Sequence, residues 1–264
     1  MSNVLGIIFG IISMIGLGAG NVFAKKPSQK LGSVKTVFYS KIVTSILLFI
    51  TLLFFISNTV FSFNYILIAV LISIIAYFPL VFFYKALKVG KIGVVSPIAN
   101  SSVIFTILLS VIFFNESLSL QQVSFIILII LGIFVISADF SKKSLVNLSH
   151  GVGYALLACI LWGVVFFLFK FPVNILGPIL TSFIIEFIIL ICAGFNIFVS
   201  KEKLKFNDNS LWKWLIAAGF FTAIGTIFYN LGINIANISL VSAIAFSNPL
   251  VASIMGAVIY KEKL

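Results

Sequence analysis

Nine apolar stretches, each long enough to cross a bilayer as a helix, follow one another at approximately 4–24, 37–56, 65–84, 93–114, 118–138, 151–169, 177–199, 214–235 and 238–260. In hydrocarbon every backbone N–H and C=O must be satisfied within the protein, so spans of this kind are helical. The breaks between them are short, which forces neighbouring helices to stack side by side. Residues 139–150 and 200–213 are the breaks long enough to be loops, and neither can hold a domain. The first stretch has the length of a signal peptide, but it lacks a basic start and a small-residue cleavage site. Composition agrees with the membrane reading. Of 264 residues, 62% are hydrophobic and 9% charged, against about a quarter charged in a soluble domain. The expected fold is an all-α membrane protein with nine transmembrane helices.

The net charge of +11 would suggest nucleic acid in a soluble protein. Here the Lys residues occupy the breaks, so their role is orientation in the bilayer and no nucleic-acid partner is expected. Fourteen of them follow spans one, three, five, seven and nine, with Lys213 at an edge, whereas Lys170 alone lies on the other side. By the positive-inside rule this count places the N-terminus outside and those breaks in the cytoplasm. Cys159 and Cys192 sit within apolar runs without metal-ligand spacing and read as small buried hydrophobes. Enzyme readings find little support. His150 has no partner at helical spacing, Asp139 and Asp208 fall in loops, and no Gly-rich loop with Lys-Ser/Thr marks a phosphate site. Neither a cofactor nor a metal is expected.

The chain repeats itself. Lys25-Lys26-Pro27 returns 145 positions later as Lys170-Phe171-Pro172. The same offset carries Gly18 onto Gly163, Gly32 onto Gly177 and Lys41 onto Glu186. Asn115-Glu116-Ser117-Leu118 is echoed by Lys261-Glu262-Lys263-Leu264 at an offset of 146. Residues 1–140 thus read as a first repeat of five helices and 141–264 as a second repeat of four. Five is odd, so the second repeat enters the membrane inverted, the usual architecture of secondary transporters. A fifth helix of the second repeat, the tenth of a 5+5 arrangement, is expected and missing, and truncation is the favoured explanation.

Leu161-Trp162-Gly163 followed by Lys170 resembles the signature that opens each repeat of EamA-type members of the drug/metabolite transporter superfamily, with Leu17-Gly18 and Lys25 as a weaker copy. A second pattern occurs twice. Ala86-Leu87-Lys88 leads through Val95-Ser96-Pro97 to Glu116, and Asn237-Ile238-Ser239 leads through Pro249 to Glu262. The resemblance covers nearly the whole chain and implies ten helices in two inverted five-helix repeats. It also implies, against the Lys count, an N-terminus in the cytoplasm.

A transporter needs polar groups inside an apolar shell, because its cargo leaves water. Ionisable residues at membrane depth are costly and mark function by default. Glu186 lies nine residues past Gly177, roughly 13 Å into the membrane, where a carboxyl can carry a proton or pair with a neighbouring helix. Lys41, its repeat equivalent, can pair with Glu186, bind a carboxylate or snorkel to the interface. Lys25 and Lys170 read as interface anchors. Ser73, Tyr77 and Tyr84 form a polar stripe in span three, and Thr222, Thr226, Tyr229 and Asn230 form one in span eight. Asn100, Ser101 and Ser102 near Pro97 correspond to Phe246, Ser247 and Asn248 near Pro249. Each polar residue alone can serve interhelical hydrogen bonding, but as a set they suggest a cavity. Trp162 either stacks on a substrate ring or packs. The Gly16-xxx-Gly20 spacing suits close helix approach.

The expected substrate-binding residues are Lys41, Tyr77, Tyr84, Asn100, Trp162, Glu186, Thr222, Tyr229 and Asn248. The expected function is secondary active transport of a small organic metabolite, an amino acid or similar, by alternating access in the cell membrane. Export is the expected direction, the lipid bilayer is the surrounding partner, and protons are the candidate coupling ion. The alternatives are a flippase for a lipid-linked sugar or polar lipid, which needs a lateral opening, and an assembly partner in a membrane complex, which needs no central cavity.

Overall fold

The computed structural model describes residues 2–137, 144–204 and 208–261, and these residues form helices and no strand. Asp139, Lys142, Lys143, Lys205, Glu262 and Lys263 lie outside the described residues. In the first half α1 covers Ser2–Leu31, α2 Ser33–Phe55, α3 Phe63–Val89, α4 Ile92–Asn100, α5 Val103–Phe114 and α6 Leu120–Ser137. In the second, α7 covers Ser144–Leu168, α8 Lys170–Leu176, α9 Pro178–Val199, α10 Leu211–Ile235, α11 Ile238–Ala245 and α12 Pro249–Tyr260. Among the described residues, eight segments are long and apolar enough to cross a membrane. The 18-residue α6, without a charged side chain, occupies the fifth expected position. The fold is an all-α membrane bundle.

The structure revises the expected spans in two respects. First, α1 continues through Pro27 to Leu31, where the sequence suggests a stop near residue 24. What ends it is Gly32, at φ 86°, a left-handed conformation that glycine adopts without a Cβ penalty. Gly177 does the same between α8 and α9 at φ 83°. Second, the fourth and ninth spans are each two helices joined by a tight break. Ser102 N–H donates to Ala99 O (3.3 Å) and Asn248 N–H to Ala245 O (3.2 Å), i→i+3 bonds that interrupt the α-helical ladder. Pro249, which has no N–H to continue that ladder, then opens α12.

Packing follows a reciprocal pattern. α1 lies along α10 and α3 along α7; α2 crosses α9; α4 meets α12 and α5 meets α11. The first of these contacts depends on glycine. A Cβ at Gly16 would stand 2.7 Å from the backbone N of Gly225, so both residues let the backbones of α1 and α10 approach. At one end of the bundle the corner between α1 and α2 is tied by charge to the connection between α9 and α10. Lys30 pairs with Asp208 at 2.7 Å and Lys35 with Glu202 at 3.3 Å, while the Tyr39 hydroxyl donates to Leu204 O.

Candidate functional site

Lys41 on α2 and Glu186 on α9 form an ion pair where those helices cross. Both are buried, with 3% and 4% of their surfaces exposed. Thr226 on α10 donates to the second carboxylate oxygen of Glu186 at 2.8 Å. Two charges withdrawn from water recover little net stability even when paired, so stabilisation alone does not account for this pair.

The pair lines a cavity of about 90 Å³ in the bundle interior. The breaks in the fourth and ninth spans bring Asn100 and Asn248 to it, where the two side chains meet. Asn248 Nδ2 donates to Asn100 Oδ1 at 2.7 Å, and Asn100 Nδ2 donates back to Ser96 O at 2.8 Å. Asn21 on α1 reaches Asn248 Oδ1 at 3.5 Å. The Tyr229 hydroxyl meets Ser242 Oγ at 2.9 Å, and Asn230 Nδ2 donates to Ser182 Oγ at 2.7 Å. Tyr84 is held beside Ser40 of α2. Trp162 packs between Phe83 and Phe166, with ring centroids 5.1 and 6.1 Å away.

Eight of the nine residues singled out from sequence therefore line one space: Lys41, Tyr84, Asn100, Trp162, Glu186, Thr222, Tyr229 and Asn248. Tyr77 does not join them. It faces a separate hollow between α3 and α9, beside Cys192 and Asn196. One helical position is about 100° of rotation, and the cavity face of α3 is Ala76, Leu80 and Tyr84. Sequence reasoning passed over Asn21, Phe166 and Phe169, which also line the cavity, as does Phe246, named there as the counterpart of Asn100. Asn21 carried a signal, as an amide four residues after Leu17 within an apolar run. Phe166 and Phe169 carried none, since 30 Phe are spread through the chain.

A second charged constellation sits where α10 hands over to α11. Glu116, in the connection before α6, accepts from Ile238 N–H (2.7 Å) and Ser239 N–H (3.1 Å) and from the Ser239 hydroxyl. A carboxylate there meets both the orphan donors and the positive end of the α11 dipole. Lys170 donates to Ile233 O and Ala236 O at the end of α10. It thus caps a helix C-terminus, where the sequence suggested an interface anchor. Lys25 is 5% exposed and packs over the Tyr260 ring, again within the protein rather than at its rim.

A multi-pass helical bundle that keeps an ion pair and amides around an interior cavity has the form of a membrane transport protein. The chain belongs to the EamA-like transporter family, whose sequence profile matches residues 4–138 and again 149–264. The cell membrane is the usual location of this family. Over 182 residues the chain is 22% identical to an uncharacterized transporter of Archaeoglobus fulgidus, covering 69% of this chain and 63% of that relative, less than two thirds of its length. Over 132 residues it is 30% identical to an uncharacterized protein of Methanocaldococcus jannaschii, covering 50% of this chain and 95% of that one. That relative is therefore about as long as one half of this chain. A crystal structure 14% identical in sequence superposes with a TM-score of 0.73, covering 98% of this chain and 91% of the other, and so shares the fold.

Proposed function

We propose that the protein is a secondary active transporter that exports a small organic metabolite of amino-acid type by alternating access. Residues 1–140 and 141–264 act as its two repeats, and the cavity lined by Lys41, Tyr84, Asn100, Trp162, Glu186, Thr222, Tyr229 and Asn248 is its substrate site. The observation that carries this reading is the Lys41–Glu186 pair, buried inside that cavity at equivalent positions of the two halves. An assembly partner has no need of charge in its core, whereas a carrier needs groups that replace the water its cargo gives up. The volume supports a small cargo, since pockets for drug-sized ligands run to about 300–1,000 Å³. Protons are the proposed coupling ion, exchanged against the cargo, with Glu186 as the group that binds one while the site is free of cargo.

The test uses proteoliposomes with a pH-sensitive dye inside and pooled amino acids outside, comparing the parent with Glu186→Gln. The expected result is substrate-dependent proton movement that the substitution abolishes. Proton movement that survives the substitution removes Glu186 from the coupling step. No movement of protons or of labelled substrate by a folded parent refutes the transport reading.

A further inference from the structure

The two walls of the cavity are built alike and furnished differently at equivalent positions. Since α1 packs on α10 and α3 on α7, each wall combines one helix from either half. An offset of 145 carries Asn21 onto Phe166, and an offset of 146 carries Ala76 onto Thr222 and Leu80 onto Thr226. All six residues line the cavity. Asn21, Thr222 and Thr226 therefore give the first wall hydrogen-bonding groups where their counterparts Phe166, Ala76 and Leu80 give the second an apolar patch, which Tyr84 and Trp162 of the same two helices flank. The apolar patch is closed by Phe246, whose ring centroid lies 4.3 Å from that of Phe166. The Lys41–Glu186 pair stands on the crossing of α2 and α9, between them.

We propose that this division selects the cargo: a zwitterion with an apolar side chain, its carboxylate and ammonium shared by Lys41 and Glu186 and its side chain laid on Phe166 and Leu80. This rests on the transport reading above. The two protein charges neutralise one another, so a singly charged solute would leave net charge buried in a site of low dielectric, which is costly. A zwitterion meets both members and leaves none. A polar side chain laid on the Phe166–Leu80 patch would give up its water without a partner, whereas an apolar one is transferred favourably. Thr222 and Thr226, on the other wall, face the charged end of the cargo.

The experiment is counterflow exchange by the full chain in proteoliposomes, with labelled leucine, phenylalanine, serine and glutamine. The parent is expected to exchange leucine or phenylalanine about tenfold faster than serine or glutamine, the order of discrimination an apolar pocket reaches. The variant Phe166→Asn/Leu80→Thr, which copies the hydrogen-bonding residues onto the apolar patch, is expected to erase that ratio, and Phe166→Leu to keep it. Isoamylamine and 4-methylpentanoate, each leucine without one charged group, are expected not to exchange. Equal rates for all four amino acids, an unchanged ratio in the monodisperse double variant, or exchange of either singly charged analogue at the rate of leucine overturns this proposal alone. If the double variant does not fold, Leu80→Thr carries the same comparison. A folded parent that exchanges no zwitterion refutes the transport reading itself.

Discussion

Replacing Glu186 with Gln leaves the Lys41 ammonium 3% exposed and without its carboxylate. Lys41→Met does the converse and leaves Glu186 with the Thr226 hydroxyl as partner. Either substitution strands a charge in the bundle interior, a loss of roughly 3–5 kcal/mol for buried pairs. The double variant Lys41→Met/Glu186→Leu removes both charges and restores apolar packing, so its stability is expected within about 1 kcal/mol of the parent or above it. The cycle then returns a coupling energy of several kcal/mol, far beyond the few tenths seen between independent sites. A charge-reversed variant, Lys41→Glu/Glu186→Lys, keeps one charge of each sign at the crossing and is expected to recover much of the loss. The assay is reversible unfolding in mixed micelles, monitored by tryptophan fluorescence and fitted for all four corners of the cycle. Additive single losses, or a double variant as unstable as the sum of its parts, would show that the two side chains do not compensate one another and would refute the reasoning.

Two further outcomes follow from the charged groups at the ends of the helices. The Asp208 carboxyl lies in the loop before α10, and hydrogen bonds from Lys30 and Ser210 depress its pKa from 3.8 to about 2. Because the folded value is the lower one, the Lys30–Asp208 contact contributes above pH 3.8 and is lost as pH falls towards 2. Carboxyl NMR is expected to show Asp208 titrating near pH 2 in the parent and closer to its ordinary value in Lys30→Met. At the other junction, Glu116→Ala removes the acceptor for Ile238 N–H and Ser239 N–H. Losing a helix cap costs about 1 kcal/mol, so hydrogen exchange at those two amides is expected to quicken about fivefold.

The existence of the spans was legible because about 20 apolar residues with no charge have one stable solution in a bilayer. Their ends and interruptions were less so. The apolar run ends near residue 24, before Lys25-Lys26-Pro27, yet the helix continues until Gly32 turns the chain at a positive φ. The breaks at residues 101–102 and 246–248 fall on the polar triplets Asn100-Ser101-Ser102 and Ser247-Asn248-Pro249, which read as cavity lining and not as helix ends because apolar residues resume on either side. The interior site was legible through charge. Lys41 and Glu186 stood out by cost alone, and the repeat placed them at equivalent depth. Tyr77 misled because hydroxyls mark polar residues and not faces, and on α3 two of the three cavity positions are Ala76 and Leu80. Aromatic lining such as Phe166 is invisible in a sequence where the lipid-facing surface is also rich in Phe, as Phe54, Phe63 and Phe198 show.

The ion pair at the α2–α9 crossing has a bearing on ancestry. Two identical half-length chains, associated about a twofold axis, would carry the same side chain at both of these positions. Lys would then face Lys, or Glu face Glu, and like charges so close inside a low-dielectric bundle cannot both stay ionised. Joining the halves into one polypeptide frees the two positions to diverge, and with them the paired positions that now hold Asn21 and Phe166. A neutral, two-sided chamber is in this sense a property of the covalent linkage, open to a fused gene and closed to a symmetric homodimer.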